Sequence, residues 1–136
     1  MEDFGKLSKW EEFNVLLERS RRFCETARMQ IEKSFYDLAA FSLEQCVQLY
    51  LKAALLKLGV DYPRTHSIRR LLEILHELTG EGRVIDLVSK YSVELALLED
   101  TYITSRYVGR EFKPDEVTRL RRVVEEVIEV VRESID

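Results

Sequence analysis

The residues with the most capacity for chemistry fall in three places. Residues 102–112 read YITSRYVGREF, which sets Arg106 between Tyr102 and Tyr107. A guanidinium grips a phosphate or carboxylate through two parallel hydrogen bonds, and flanking phenols can stack on or donate to the same ligand. Residues 63–70 read PRTHSIRR, with His66 among Arg64, Arg69 and Arg70 at an expected loop-to-helix junction. A helix start adds its free amides to such cations and makes a local anion site; the alternative is that His66 only caps or packs at the loop. The third place lies inside an otherwise apolar run. There Gln45 and Lys52 stand seven residues apart, with Gln48 close by and Ser42 extending the row. On a helix this spacing gives one polar face. Such a face is either exposed, with Lys52 snorkelling to water, or it lines a cleft or a subunit interface.

No catalytic constellation is complete. GEG at 80–82 is a loop without a phosphate-cradling pattern, and no serine or cysteine has a neighbour suited to activate it. The arginine clusters RSRR at 19–22 and RLRR at 119–122 fit solvated helix faces. Cys24 and Cys46 form no CxxC pair and lie in apolar helical patterns, so buried free thiols are expected. His66 and His76 lack metal-ligand spacing, and neither a metal nor a cofactor is expected.

The elements that must position these groups are helices. Trp10, Phe13, Leu17, Ser20, Cys24, Ala27 and Ile31 follow a 3–4 spacing and predict a helix over about 8–32. Ser34, with Asp37 three residues on, suits the cap of a second helix over about 34–58, apolar nearly all round and therefore central. Gly59 is a natural stop for it, and VDYPRTHS follows as a loop. Thr65 or Ser67 can cap a third helix, whose buried stripe is Ile68, Leu71, Leu72, Leu75 and Leu78. TGEG breaks the chain at 79–82, a short segment at 83–90 adds a helical turn or two, and a further helix covers about 92–105. Pro114 suits the first turn of a last helix, with Asp115 and Glu116 at its positive end and a stripe from Val117 to Ile135. The sum is one all-α domain over 1–136, an antiparallel up-and-down bundle of four to five helices.

Composition narrows the function classes. A length of 136 residues suits a single core, and a net charge of −4 excludes a basic nucleic-acid coat. A charged fraction of 34% with five glycines and two prolines suits a rigid helical protein. No apolar run approaches the ~18 residues of a membrane span. The start MEDFGKLSKWEEF lacks the apolar centre of a signal peptide. The expectation is a soluble cytoplasmic protein without membrane contact.

FYDLAAFSLEQCVQLYLKAALLKLG, then PRTHSIRRLLEIL, then YITSRY together resemble the HEPN domain family (higher eukaryotes and prokaryotes nucleotide-binding). The matching positions are Tyr36, Asp37, Gln45, Lys52, Thr65, His66, Arg106 and Tyr107, spread over nearly the whole chain. The resemblance implies a helical bundle that dimerises, binds nucleotide or RNA, and partners a minimal nucleotidyltransferase, as in toxin–antitoxin pairs. By the same resemblance Arg106 holds a phosphate, with Tyr107 or Tyr102 stacking. Lys52 and Gln45 line the same cleft and His66 stands at its rim. Departures are Glu44-Gln45 for a double glutamine, Gln48 for a glutamate, and Val108 for a proline. The ribonuclease branch carries R-x4-6-H, yet no histidine follows Arg106. Arg70 and His76 meet the spacing, but six helical positions turn them some 120° apart. The implied function is therefore a non-catalytic binding domain for a nucleotide-type or other anionic ligand. The alternatives are a protein-interaction or antitoxin-type subunit and a metal-independent ribonuclease. Arg106 has a structural alternative too, held by buried acids such as Asp37, Glu99 or Asp100.

Overall fold

The computed structural model describes residues 7–107 and 111–136, with the side chains of 104–107 outside the description. Six helices follow in order: α1 (Lys9–Glu32), α2 (Tyr36–Lys57), α3 (Ile68–Thr79), α4 (Gly82–Lys90), α5 (Ser92–Tyr107) and α6 (Pro114–Ile135). Among the described residues there is no strand. The all-α bundle expected from the periodicity is what forms, with 82–90 a helix in its own right.

α2 is the central rod because its apolar residues leave little of its circumference polar. It packs against α1, α3, α5 and α6. Cys46, Val47, Leu51 and Leu55 of α2 meet Leu71, Leu72 and Leu75 of α3, Leu95 and Leu98 of α5, and Val124, Val127 and Val131 of α6 in one buried cluster. Burying a leucine of this kind contributes about 1.5–3 kcal/mol. Among the described residues no helix is long and apolar enough to cross a membrane.

The stops and starts are local chemistry. After α2, Gly59 takes a left-handed φ of 86°, and the Val60 and Gly59 amides donate to the Leu55 and Leu56 carbonyls at 3.2 and 2.9 Å. This is the paired closure that a left-handed residue permits at a helix end. The Ser67 hydroxyl accepts from the Arg70 amide at 3.1 Å and starts α3. Pro114 opens α6, where the Glu116 carboxylate accepts from the Lys113 amide at 2.9 Å.

Three expectations are corrected. Ser34 does not cap α2, whose start makes no side-chain cap bond. Instead Ser34 has φ 63° and closes α1, with the Phe35 amide on the Gln30 carbonyl at 2.8 Å and the Ser34 amide on that of Ile31 at 3.0 Å. The place normally held by glycine is filled here by serine. Cys24 and Cys46 are not free thiols. They form a disulfide between α1 and α2, with Cα atoms 5.2 Å apart, because the tight hairpin brings equivalent turns of both helices together. Trp10 leaves the buried stripe: it is 68% exposed and stacks on Phe13 with ring centroids 5.5 Å apart.

Candidate functional site

The polar row of α2 divides between two helix interfaces. The Ser42 hydroxyl donates to Gln30 Oε1 of α1 at 2.7 Å and belongs to the α1–α2 contact. The remainder forms a relay on the opposite flank, directed at the α2–α3 loop and α5. Glu44, Gln48 and Lys52 are four residues apart in turn, so their side chains stack along one edge. Gln45 Nε2 donates to Glu44 Oε1 at 2.6 Å, and Gln48 Nε2 donates to Glu44 Oε2 at 2.5 Å. Lys52 Nζ then donates to Gln48 Oε1 at 3.0 Å.

This relay is inside the protein. Glu44 is 0% exposed, Gln48 4% and Lys52 9%, so the reading of an exposed face is overturned. The α2–α3 loop and α5 supply the cover that sequence periodicity alone does not show. His66 Nδ1 lies 3.5 Å from Gln48 Oε1, and its ring stacks on Tyr102 of α5 with centroids 3.6 Å apart. Lys52 Nζ stands 5.3 Å from the centre of the Tyr62 ring, within reach of a cation–π attraction.

Burial sets the electrostatics. Loss of water pushes the Glu44 carboxyl up to about 7, against the opposing pull of the two glutamine amides and the Lys52 charge. Desolvation likewise lowers Lys52, partly offset by the attraction of Glu44. No carboxylate lies within 4 Å of the Lys52 amine among the described residues, so its near partners are an amide oxygen and an aromatic face.

The start of α3 is fixed separately. Glu99 of α5 accepts from the Arg69 amide at 3.0 Å, from Arg69 Nη2 at 2.8 Å and from the Ser67 hydroxyl at 3.3 Å. Burial alone would raise this carboxyl, but the Arg69 side chain, amide and charge hold it below its ordinary range. The Thr65 hydroxyl accepts from the Ser67 amide at 3.1 Å and steadies the loop that carries His66.

The HEPN domain model matches residues 13–134. The chain belongs to the HEPN family. The crystal structure of an archaeal HEPN homologue superposes on this HEPN chain with a TM-score of 0.66 at 21% identity. The match covers 91% of this chain and 98% of the homologue, and it shows a shared fold. A search of curated proteins finds no match.

In this HEPN domain the candidate residues part company. Lys52, His66 and Tyr102 come together around Gln48, with Gln45 half-buried at the far end of the relay. Arg106 and Tyr107 lie on the last turn of α5, and their side chains fall outside the described residues. Glu99, a suggested holder of Arg106, has Arg69 as its partner. Arg70 and His76 do not converge: Arg70 stands 3.6 and 3.8 Å from Glu73 and Glu77, while His76 Nδ1 meets the Glu81 carbonyl at 3.1 Å. Among the described residues no group of three or more His, Cys, Asp or Glu gathers as a metal site. Glu44, absent from the candidates, is the hub of the relay. Its signal was available as an acid spaced 4 and 8 residues before Gln48 and Lys52 in an apolar helix.

Proposed function

We propose that this HEPN domain is a non-catalytic binding module for a nucleotide-type anionic ligand, with the anion received at Lys52 beside the His66–Tyr102 pair. One observation carries the reading: a lysine only 9% exposed as a residue has no carboxylate within 4 Å of its amine among the described residues, and its near partners are an amide oxygen and an aromatic face. A desolvated cation without a close counter-charge is costly, and an arriving anion recovers part of that cost. Gln45 and Gln48 add amide hydrogen bonds, and the exposed His66 stands at the rim. Arg106 and Tyr107, on the next turns of α5 beyond Tyr102, are assigned to the same ligand. A homodimer, a nucleotidyltransferase partner of the toxin–antitoxin kind, and a cytoplasmic setting complete the proposal.

Glu44 supplies a distinguishing signature. An anion at Lys52 raises the affinity of the nearby carboxyl for protons, so binding near pH 7 takes up a fraction of a proton. Calorimetry with nucleoside mono-, di- and triphosphates in two buffers of different ionisation heat measures affinity and proton uptake together. Binding that weakens about tenfold or more in Lys52→Met and in Arg106→Ala, with uptake lost in Glu44→Gln, is expected. Silence from the whole nucleotide panel, or equal binding by Lys52→Met, refutes the assignment. A protein-interaction role has one observation on its side: Val93 and Ile103 on α5 are 75% and 63% exposed. Copurification with a partner and light scattering address it.

A further inference from the structure

Cys24 and Cys46 are bonded to each other yet have different surroundings. Helices α1, α2 and α6 enclose a groove of about 580 Å³, a volume within the ~300–1,000 Å³ of small-molecule sites. Leu17, Ser20, Cys24 and Arg28 recur at a 3–4 spacing on α1, so one stripe of that helix faces the groove and Cys24 is part of the wall. Leu43, Tyr50 and Ala54 belong to the α2 wall. Cys46 falls between Leu43 and Tyr50 along α2 but takes no part in the wall. It is 0% exposed, whereas Cys24 is partly exposed.

The cover over Cys46 comes from α1. The Ser20 hydroxyl donates to the Cys46 carbonyl at 2.7 Å and lies 3.8 Å from Cys46 Sγ. Ser20 is itself only 2% exposed. The cations of the groove walls are all held by acids, as Arg28 is by Glu25 and Arg121 by Glu125, so the walls select no charged visitor. What the groove offers to a small molecule is one sulfur of a disulfide.

We propose that Cys24 is a thiol-exchange site, opened to small uncharged thiols by this groove, with Cys46 as the buried leaving and resolving sulfur. Exchange proceeds by attack of a thiolate on one sulfur of the bond, and access helps decide which. The incoming thiolate bonds to Cys24 Sγ as the Cys24–Cys46 bond breaks, and the electron pair of that bond leaves on Cys46. Cys46 then takes up a proton from solvent, because apolar burial favours the neutral thiol. Until it does, the Ser20 hydroxyl stands within donor reach of the sulfur. The reagent is thereby oxidised into a mixed disulfide on Cys24, and Cys46 is reduced. A second thiolate attacking the reagent sulfur releases the reagent as its own disulfide and frees Cys24. Attack by Cys46 on Cys24 Sγ instead expels the reagent and closes the cross-link again. Direct attack on Cys46 requires α1 to open first.

The test exposes the folded full chain briefly to mercaptoethanol, stops exchange with acid, blocks free thiols with N-ethylmaleimide, and maps both cysteines by mass spectrometry. The expected result is mercaptoethanol on Cys24 and maleimide on Cys46, at least about tenfold over the reverse adduct. The preference should vanish in urea. Cys46→Ser and Cys24→Ser leave one thiol each, and dithiobis(nitrobenzoate) reads their reactivity in buffer and in urea. Cys24 should react within about tenfold of its unfolded rate, and Cys46 at least about a hundredfold below its own. The wild-type map needs no substitution, so it decides even if a variant unfolds. Equal adducts on the two sulfurs of the folded chain, a reversed preference, or equal protection of the two thiols in folded variants overturns the proposal.

Discussion

Replacing Glu44 by glutamine keeps the shape of the relay and removes its one carboxyl proton. The carboxyl moves from an ordinary 4.5 to about 7 in the folded protein, chiefly because it is stripped of water. At 1.36 kcal/mol per pKa unit this corresponds to about 3 kcal/mol. The sign follows from where the proton sits. Below about pH 4.5 the group is protonated folded and unfolded alike, and nothing is lost. As pH rises toward 7 the unfolded chain releases the proton while the folded chain keeps it, so stability falls; above about 7 both are ionised and the loss is complete. Glu99 works in the opposite direction, its depressed pKa giving stability that is lost only as pH falls below the ordinary carboxylate range. It therefore does not mask the Glu44 window. Urea unfolding followed by circular dichroism, from about pH 5 to about pH 8, measures the effect. Wild type should lose roughly 2–3 kcal/mol more than Glu44→Gln across that range, as a midpoint change at constant denaturant slope. The pH slope is the readout, since the new amide must share the contact with Gln48 and alters absolute stability at every pH. Parallel curves for the two proteins would refute the burial account of Glu44.

Reduction tests the Cys24–Cys46 cross-link, whose sequence separation is 22. Closing a loop of that size stabilises by about 3 kcal/mol, so a reductant should lower the melting temperature by roughly 10 °C. Cys24→Ser/Cys46→Ser should melt at the reduced value with or without reductant. Ser34→Gly should raise stability by about 0.5–1 kcal/mol, relieving a left-handed residue against the entropy of a new glycine and the loss of the Tyr36 hydroxyl contact at 3.2 Å. Ser34→Val should instead lower the urea midpoint, because a β-branched side chain fits φ 63° badly.

What could be read in advance tracks how local each signal is. Gly59, Ser67 and Pro114 each act on their own helix end, and each lies where its chemistry directs. Ser34 misled because a serine before an acidic residue resembles a helix start, while the left-handed geometry it adopts usually carries a glycine. The cysteine pairing depends on how α1 and α2 cross, which neither helix states alone. The polar face of α2 was visible as a face, and its burial was not, since the cover comes from His66 and Tyr102, far along the chain. Glu44 was legible by spacing and overlooked because an acid in a helix is most often a surface charge.

The bond between Cys24 and Cys46 encloses the turn at 33–35 in a covalent ring. A protease that cuts that exposed turn does not split the molecule, because the two pieces remain joined through sulfur. α1 then stays beside α2 at the high effective concentration of a tethered partner. The hairpin thus holds its register by topology as well as by packing, and only a reductant converts a clipped chain into two.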